Sequence, residues 1–172
     1  QSNFDEVSGD SLAVAVNNTY DDYGNLQGYK ETTTGYSLEA DISYHKIADK
    51  YIVGVPSHIT VSSGGKTYRE RSTKVDGNGE ITEIMLHNGD KPSVYNMTYD
   101  GYGNITRMTK PENYSHQRMF YTYTYDDRYH SLVTSVKDAY GYSSSTAYDG
   151  LWNAPSVTTD LNGQKMEYTY DA

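Results

Sequence analysis

The sequence predicts an all-β fold: an antiparallel β-meander of tandem hairpins, curled into a ribbon, a trough or part of a shell. Three observations carry that expectation. A turn signature recurs along the chain, a Tyr-Asp step recurs in register with it, and the residues between turns alternate with period two.

The turn signature is Asp-x-x-Gly. It occurs at Asp21 and Gly24, Asp76 and Gly79, Asp100 and Gly103, Asp138 and Gly141, and Asp160 and Gly163. With 15 glycines in 172 residues, little more than one copy is expected by chance. Asp first and Gly fourth is the composition of a type I β-turn. The carboxylate accepts from turn amides, and Gly takes the positive φ that starts the returning strand. Each copy therefore predicts a hairpin with a bulge at its turn.

The Tyr-Asp step occurs at Tyr20-Asp21, Tyr99-Asp100, Tyr125-Asp126, Tyr148-Asp149 and Tyr170-Asp171, with Val75-Asp76 as a variant. Thr precedes the Tyr in four of the five. Towards the C-terminus the turn aspartates stand at 126, 138, 149, 160 and 171, steps of 12, 11, 11 and 11. One unit is then two short strands and two turns, with the Tyr-Asp version returning every second turn. At 126 and 149 the expected Gly is replaced by Tyr129 and Trp152, which predicts longer turns.

Taken in chain order, residues 19–60 form irregular first hairpins and residues 61–172 the regular repeats of one β domain, 1–172. Residues 28–61 carry no clear copy of the signature, and helix is limited to a turn or two around residues 48–52. Further on, Tyr95 and Met97 alternate with Val94 and Asn96, and Tyr121, Tyr123 and Tyr125 alternate with Thr122 and Thr124. Such alternation puts the rings on one face and the threonines on the other. About a dozen strands of this kind must bend, because neighbouring strands rotate by about 20–25°. A thin core and long exposed edges follow, with edge-strand pairing between copies as one way to cover them.

Composition first points elsewhere. Leu, Ile, Val and Phe number only 27 of 172, with a net charge of −9, a balance typical of disorder. The 20 tyrosines reverse that reading, since each can bury a ring while its hydroxyl stays wet. The acidity gives no footprint for nucleic acid, and no apolar run is long enough for a membrane helix. Without cysteine there is neither a disulfide framework nor a thiolate metal site.

No chemical constellation stands out, so no enzyme, metal or cofactor is expected. Asp76 to Glu80 looks like a calcium loop, but the sixth and twelfth positions hold Ile81 and His87 instead of Gly and Glu. The five histidines never fall at metal-ligand spacing, and neither a nucleophile elbow nor a phosphate loop is present. The turn aspartates read as turn caps. The candidate binding aromatics are Tyr23, Tyr102, Tyr140 and Trp152, all at expected turn tips, where a ring can stack on a sugar or anchor a partner.

The segments Thr98-Tyr99-Asp100-Gly101-Tyr102-Gly103-Asn104-Ile105 and Thr19-Tyr20-Asp21-Asp22-Tyr23-Gly24-Asn25-Leu26 resemble the YD repeat of bacterial Rhs (rearrangement hotspot) proteins. Tyr51 to Pro56 is similar to a segment of toxin-complex B subunits and virulence-plasmid toxins. The resemblance covers residues 19–26 and 48–172. It implies a hollow β-shell such as toxin-complex B and C subunits build around a cytotoxic region. The autoprotease motif of that family has no counterpart here. The function this implies is a non-enzymatic structural segment of a bacterial secreted or cell-surface protein, partnered by other repeats or another subunit. A carbohydrate- or surface-binding module, with glycans as ligands, is the alternative. Because the sequence stops at Tyr170-Asp171-Ala172, inside a turn signature, a fragment of a longer protein is expected.

Overall fold

In the computed structural model, residues 2–4, 11–87 and 89–171 are described. The chain divides into two compact units, residues 1–93 and 94–172. The first holds β1 (Ser2–Phe4), β2 (Ser11–Ala13), β3 (Ala15–Tyr20), β4 (Leu26–Thr33), β5 (Tyr36–Tyr44), β6 (Pro56–Ser63), β7 (Lys66–Val75) and β8 (Ile81–Leu86). The second, entered within β9 (Ser93–Tyr99), continues with β10 (Ile105–Glu112), β11 (Arg118–Tyr125), β12 (Val133–Asp138), β13 (Ser143–Tyr148), β14 (Pro155–Thr159) and β15 (Lys165–Glu167). A single 3₁₀ turn, Ala48–Lys50, stands in the region where a short helical turn is expected.

Connectivity is that of a meander. From β3 to β8, and again from β9 to β15, each strand pairs antiparallel with its neighbour in sequence. The sheet is open, with no closure into a barrel. Ladders shift register beside the Asp turns, as at Thr19/Tyr20, Lys74/Val75 and Ile105/Arg107. The extra residue in each case, Gln27, Thr82 or Thr106, is the second of the returning strand, so each bulge lies beyond the turn itself.

The register sorts the faces. In the second unit Met108 lies opposite both Met97 and Tyr121, and Tyr123 opposite Val136. The other face has Arg107 opposite Thr98 and Thr122 opposite Lys137. The first unit repeats the division. Ile42 faces Ile59 and Ala40 faces Val61, while Lys30–Glu39 and Lys74–Glu83 form ion pairs of 2.8 and 2.9 Å across the polar face.

A lone layer covers neither face, so its rings are shielded mainly by their neighbours along and across the strands. Met97, 6% exposed, is the single buried residue among those described. What holds such a ribbon must lie largely in its turns and cross-strand hydrogen bonds.

Candidate functional site

The five Asp-x-x-Gly copies share one geometry. Each aspartate accepts the N–H of its own Gly on its carbonyl, at 3.0–3.3 Å. Its Oδ1 accepts two more backbone N–H groups, from the second and fourth residues onward, at 2.8–3.0 Å. The five glycines have φ between +80° and +91°. The longer copies achieve the same closure with other residues. Asp126 takes four backbone N–H groups, from Arg128, Tyr129, Ser131 and Leu132, and the left-handed residue is His130. Asp149 takes those of Leu151 and Trp152, with Asn153 left-handed. His and Asn are among the residues that tolerate this conformation best.

At Asp21, Asp76, Asp100, Asp126 and Asp149 these bonds favour the ionised carboxylate. The side-chain amide of Asn104 is the main force keeping Asp100 below the usual carboxylate range, against some loss of solvation. The Tyr129 N–H does most for Asp126, and the Trp152 and Leu151 N–H groups for Asp149.

Two copies are illegible in sequence. Asn113 closes β10 to β11 as an aspartate would, accepting from Ser115 and Gln117, with His116 at φ +58° in place of Gly. Tyr44-His45 stands where Tyr-Asp would. The His45 N–H bonds to the Val55 carbonyl, so the turn is an eleven-residue loop that still closes like its neighbours. Residues 28–61 thus contain a degenerate copy, hidden because His45 stands where the Asp would and the left-handed residue of the loop is Tyr51, not a glycine.

The tyrosine of the repeat has its own task. Tyr44, Tyr125, Tyr148 and Tyr170 donate their hydroxyls to the carbonyls of Leu26, Ile105, Val133 and Pro155, at 2.7–2.9 Å. In every case the acceptor is the first residue of the strand before. Each ring therefore hooks back across its own hairpin pair and pins the point where the preceding strand leaves its turn. The Thr before the Tyr serves the other face: Thr98 meets Thr106 and Thr124 meets Thr134, Oγ1 to Oγ1, at 2.9 and 3.0 Å.

The asparagine after the Gly joins one turn to the next on the same edge. Asn25 Nδ2 donates to Asp21 and to the Val53 carbonyl. Asn104 Nδ2 repeats this with Asp100 and the His130 carbonyl. Rings follow the same route: Tyr23 meets Tyr51 edge-on at 6.3 Å, and Tyr102 stacks flat on His130 at 3.9 Å. Arg128 extends the second chain to the Gly150 carbonyl. In the first, Ile52 fills the space above Gly79, and Lys50 reaches Asn78 at 2.6 Å. The edge is a ladder of interlocked turns.

This placement bears on the four candidate aromatics. Tyr23 and Tyr102 are half to two-thirds exposed, yet their rings stack within the ladder. Trp152 lies on the same edge as Tyr102, separated by the 126–132 turn. Tyr140, 76% exposed, sits on the opposite edge in the 138–142 turn. Within the second unit, Tyr102 and Tyr140 thus lie on opposite edges.

Among the described residues, no three His, Cys, Asp or Glu side chains assemble in a way that could hold a metal ion. The nearest approach to acid–base chemistry is on the polar face of the first unit. There Ser72 Oγ lies 3.2 Å from His87 Nε2, and His58 Nε2 lies 3.5 Å from Glu70. Ser72 is on β7, a strand paired with β6 on one side and β8 on the other. No described helix is long and apolar enough to cross a membrane.

Scanned against protein-family models, the chain matches none, and no curated protein matches it. Solved structures do. The chain is similar to a chain of the Photorhabdus luminescens Tc holotoxin pore, at 16% identity and a TM-score of 0.51 over 90% of its length. It is also similar to a chain of the TcdB2-TccC3-Cdc42 crystal structure, at 17% identity and a TM-score of 0.50, again over 90%. It spans about 10% of the length of each. At these identities the likeness is one of fold: a β-meander of the kind found within toxin-complex chains.

Proposed function

We propose that the chain is a non-enzymatic structural segment of a bacterial secreted or cell-surface YD-type repeat protein, forming part of a β-shell or scaffold of the toxin-encapsulating kind. The observation that carries this reading is the division of labour within Thr-Tyr-Asp-x-x-Gly-Asn. Thr ties the polar face, Tyr hooks the preceding strand, Asp caps the turn and Asn clasps the next turn. Every signature residue serves the ribbon, which is what a neighbour-to-neighbour repeat scaffold needs. The fold likeness to toxin-complex chains supports the same direction.

A shell of this type would turn its tyrosine face towards enclosed polypeptide. The test is retention of a permanently unfolded probe, reduced and carboxymethylated α-lactalbumin, by the immobilised chain. Capture that weakens when Tyr123 and Val136 are both changed to Ser supports the proposal. The carbohydrate-binding alternative has less behind it, because Tyr102 and Tyr140 lie on opposite edges of the second unit. Glycan-array binding lost with Trp152→Ala, and no capture of the unfolded probe, would replace the shell reading with that one.

A further inference from the structure

The polar face of the second unit carries two cations that no acid neutralises. Cross-strand pairing sets five residues side by side on β9 to β13: Thr98, Arg107, Thr122, Lys137 and Ser143. Hydroxyls and cations alternate along this row, and all of its members except Thr122 are exposed. The rows on either side, Asn96–Thr109–Phe120 and Thr124–Ser135–Ser145, hold no acid. The first unit is built differently. There Lys30 and Lys74 lie directly opposite Glu39 and Glu83 and form ion pairs with them. In the second unit the positions opposite Arg107 and Lys137 hold Thr and Ser instead.

The cations are also held for use. The Arg107 guanidinium lies over the Phe120 ring, 3.7 Å from its centre, with Nε 3.4 Å from Thr109 Oγ1. Such a stack fixes the guanidinium plane while its N–H edge stays open to an oxyanion. Lys137 stands two strands away with the Thr122 hydroxyl between. The turn aspartates of the unit do not compete for either cation, because their carboxylates accept from turn amides at the strand ends.

Spacing selects the partner. Two strand intervals put Arg107 and Lys137 about 10 Å apart, and the whole row is about 19 Å long. The first distance is the length of one disaccharide in an extended β-linked polysaccharide, and the second that of two. Sugar hydroxyls between the charges find Thr98, Thr122 and Ser143. A DNA duplex suits the row poorly, since it carries one charge per about 1.7 Å and an acidic chain repels it. Phe120, covered by Arg107, offers no platform for an unpaired base. We propose that this row binds a linear acidic polysaccharide with one carboxylate per disaccharide, laid across β9 to β13 with one carboxylate on Arg107 and the next on Lys137. The site lies on the face opposite the tyrosines and is independent of the scaffold reading.

The experiment is calorimetric titration of the full chain, at low salt, with a hyaluronan octasaccharide, in which glucuronate alternates with a neutral sugar. Saturable binding with a Kd below about 1 mM is expected, at least about tenfold tighter than for neutral cellohexaose. Arg107→Gln and Lys137→Gln should each weaken it roughly tenfold. Lys74→Gln removes an equal charge from an ion pair of the first unit and should leave it unchanged. Circular dichroism and melting show whether each variant is folded. Should Arg107→Gln misfold through its contact with Phe120, Lys137→Gln, an exposed side chain, still decides. Absence of binding at about 1 mM overturns the proposal. So does equal weakening by Lys74→Gln, or oligothymidylate bound as tightly, because net charge alone would then be at work. Binding lost with Trp152→Ala but kept in Lys137→Gln overturns it too, since the sugar would sit at a turn tip. Unfolded-probe capture that persists without hyaluronan binding overturns this site alone and leaves the scaffold reading standing.

Discussion

Gly24 and Gly79 hold nearly the same backbone angle, φ +82° and +84°, in different surroundings. A Cβ at Gly24 meets open space, whereas one at Gly79 would come within 2.5 Å of Ile52 Cδ1. Gly24→Ala isolates the conformational cost and is expected to destabilise by about 1–2 kcal/mol. Gly79→Ala adds a clash and is expected to lose about 1 kcal/mol more, as urea denaturation of the two variants can show. Equal losses would mean that Ile52 is not seated against that turn. The turn aspartates give a second prediction at this scale. Hydrogen bonds, the Tyr129 N–H first, hold the folded Asp126 below the unfolded carboxylate value. A group lowered in this way contributes stability that is present above about pH 4 and lost as pH falls through the folded value. Asp126→Asn should therefore flatten the fall in melting temperature between about pH 4 and pH 2. An unchanged slope would remove the carboxylate from the account.

At the scale of the element, the hairpin is defined by its hook and its clasp. Asn104→Ala deletes bonds to Asp100 and to the His130 carbonyl and is expected to cost about 1–2 kcal/mol. Amide exchange should quicken in the 126–132 turn more than in the 113–117 turn, which lies on the other edge. The hooks add a signature at high pH. Loss of solvation raises the Tyr44 and Tyr125 hydroxyls above the ordinary tyrosine value, and only a protonated hydroxyl can donate to a carbonyl. That stability is present below about pH 10 and lost as pH rises through the folded values, so alkaline unfolding should be blunted in Tyr125→Phe. The sequence makes these hairpins legible wherever Asp and Gly survive, because turn chemistry is local. It hides them at Tyr44-His45 and Asn113-His116, where His45 stands at the Asp position with its ring bonded to Thr73, and His116 holds the left-handed position. The hook itself was out of reach. Nothing local to Tyr125 says that its hydroxyl meets Ile105, a residue of the preceding strand 20 positions back.

For the molecule as a whole, composition and rhythm suffice to predict an all-β meander with a thin core, though not whether it closes. Met97, the single buried residue among those described, is the physical form that thinness takes. The division into two compact units has no counterpart in the sequence, since the turn rhythm runs on without a linker. A turn tip leaves open, in sequence, whether its ring packs on a neighbouring repeat or stays free to bind. Tyr23 and Tyr102 are part exposed and also meet neighbouring turns, a relation set by which turns share an edge. The central claim is that directed hydrogen bonds from the repeat signature hold the ribbon together where a conventional core would otherwise do so. The most direct test is the triple variant Tyr125→Phe, Tyr148→Phe, Tyr170→Phe, which keeps every ring and deletes the three hooks of the second unit. Equilibrium urea unfolding should show a loss of about 3 kcal/mol, near the sum of three independent hydrogen bonds. A loss below about 0.5 kcal/mol would contradict the account, because the rings alone would then be enough.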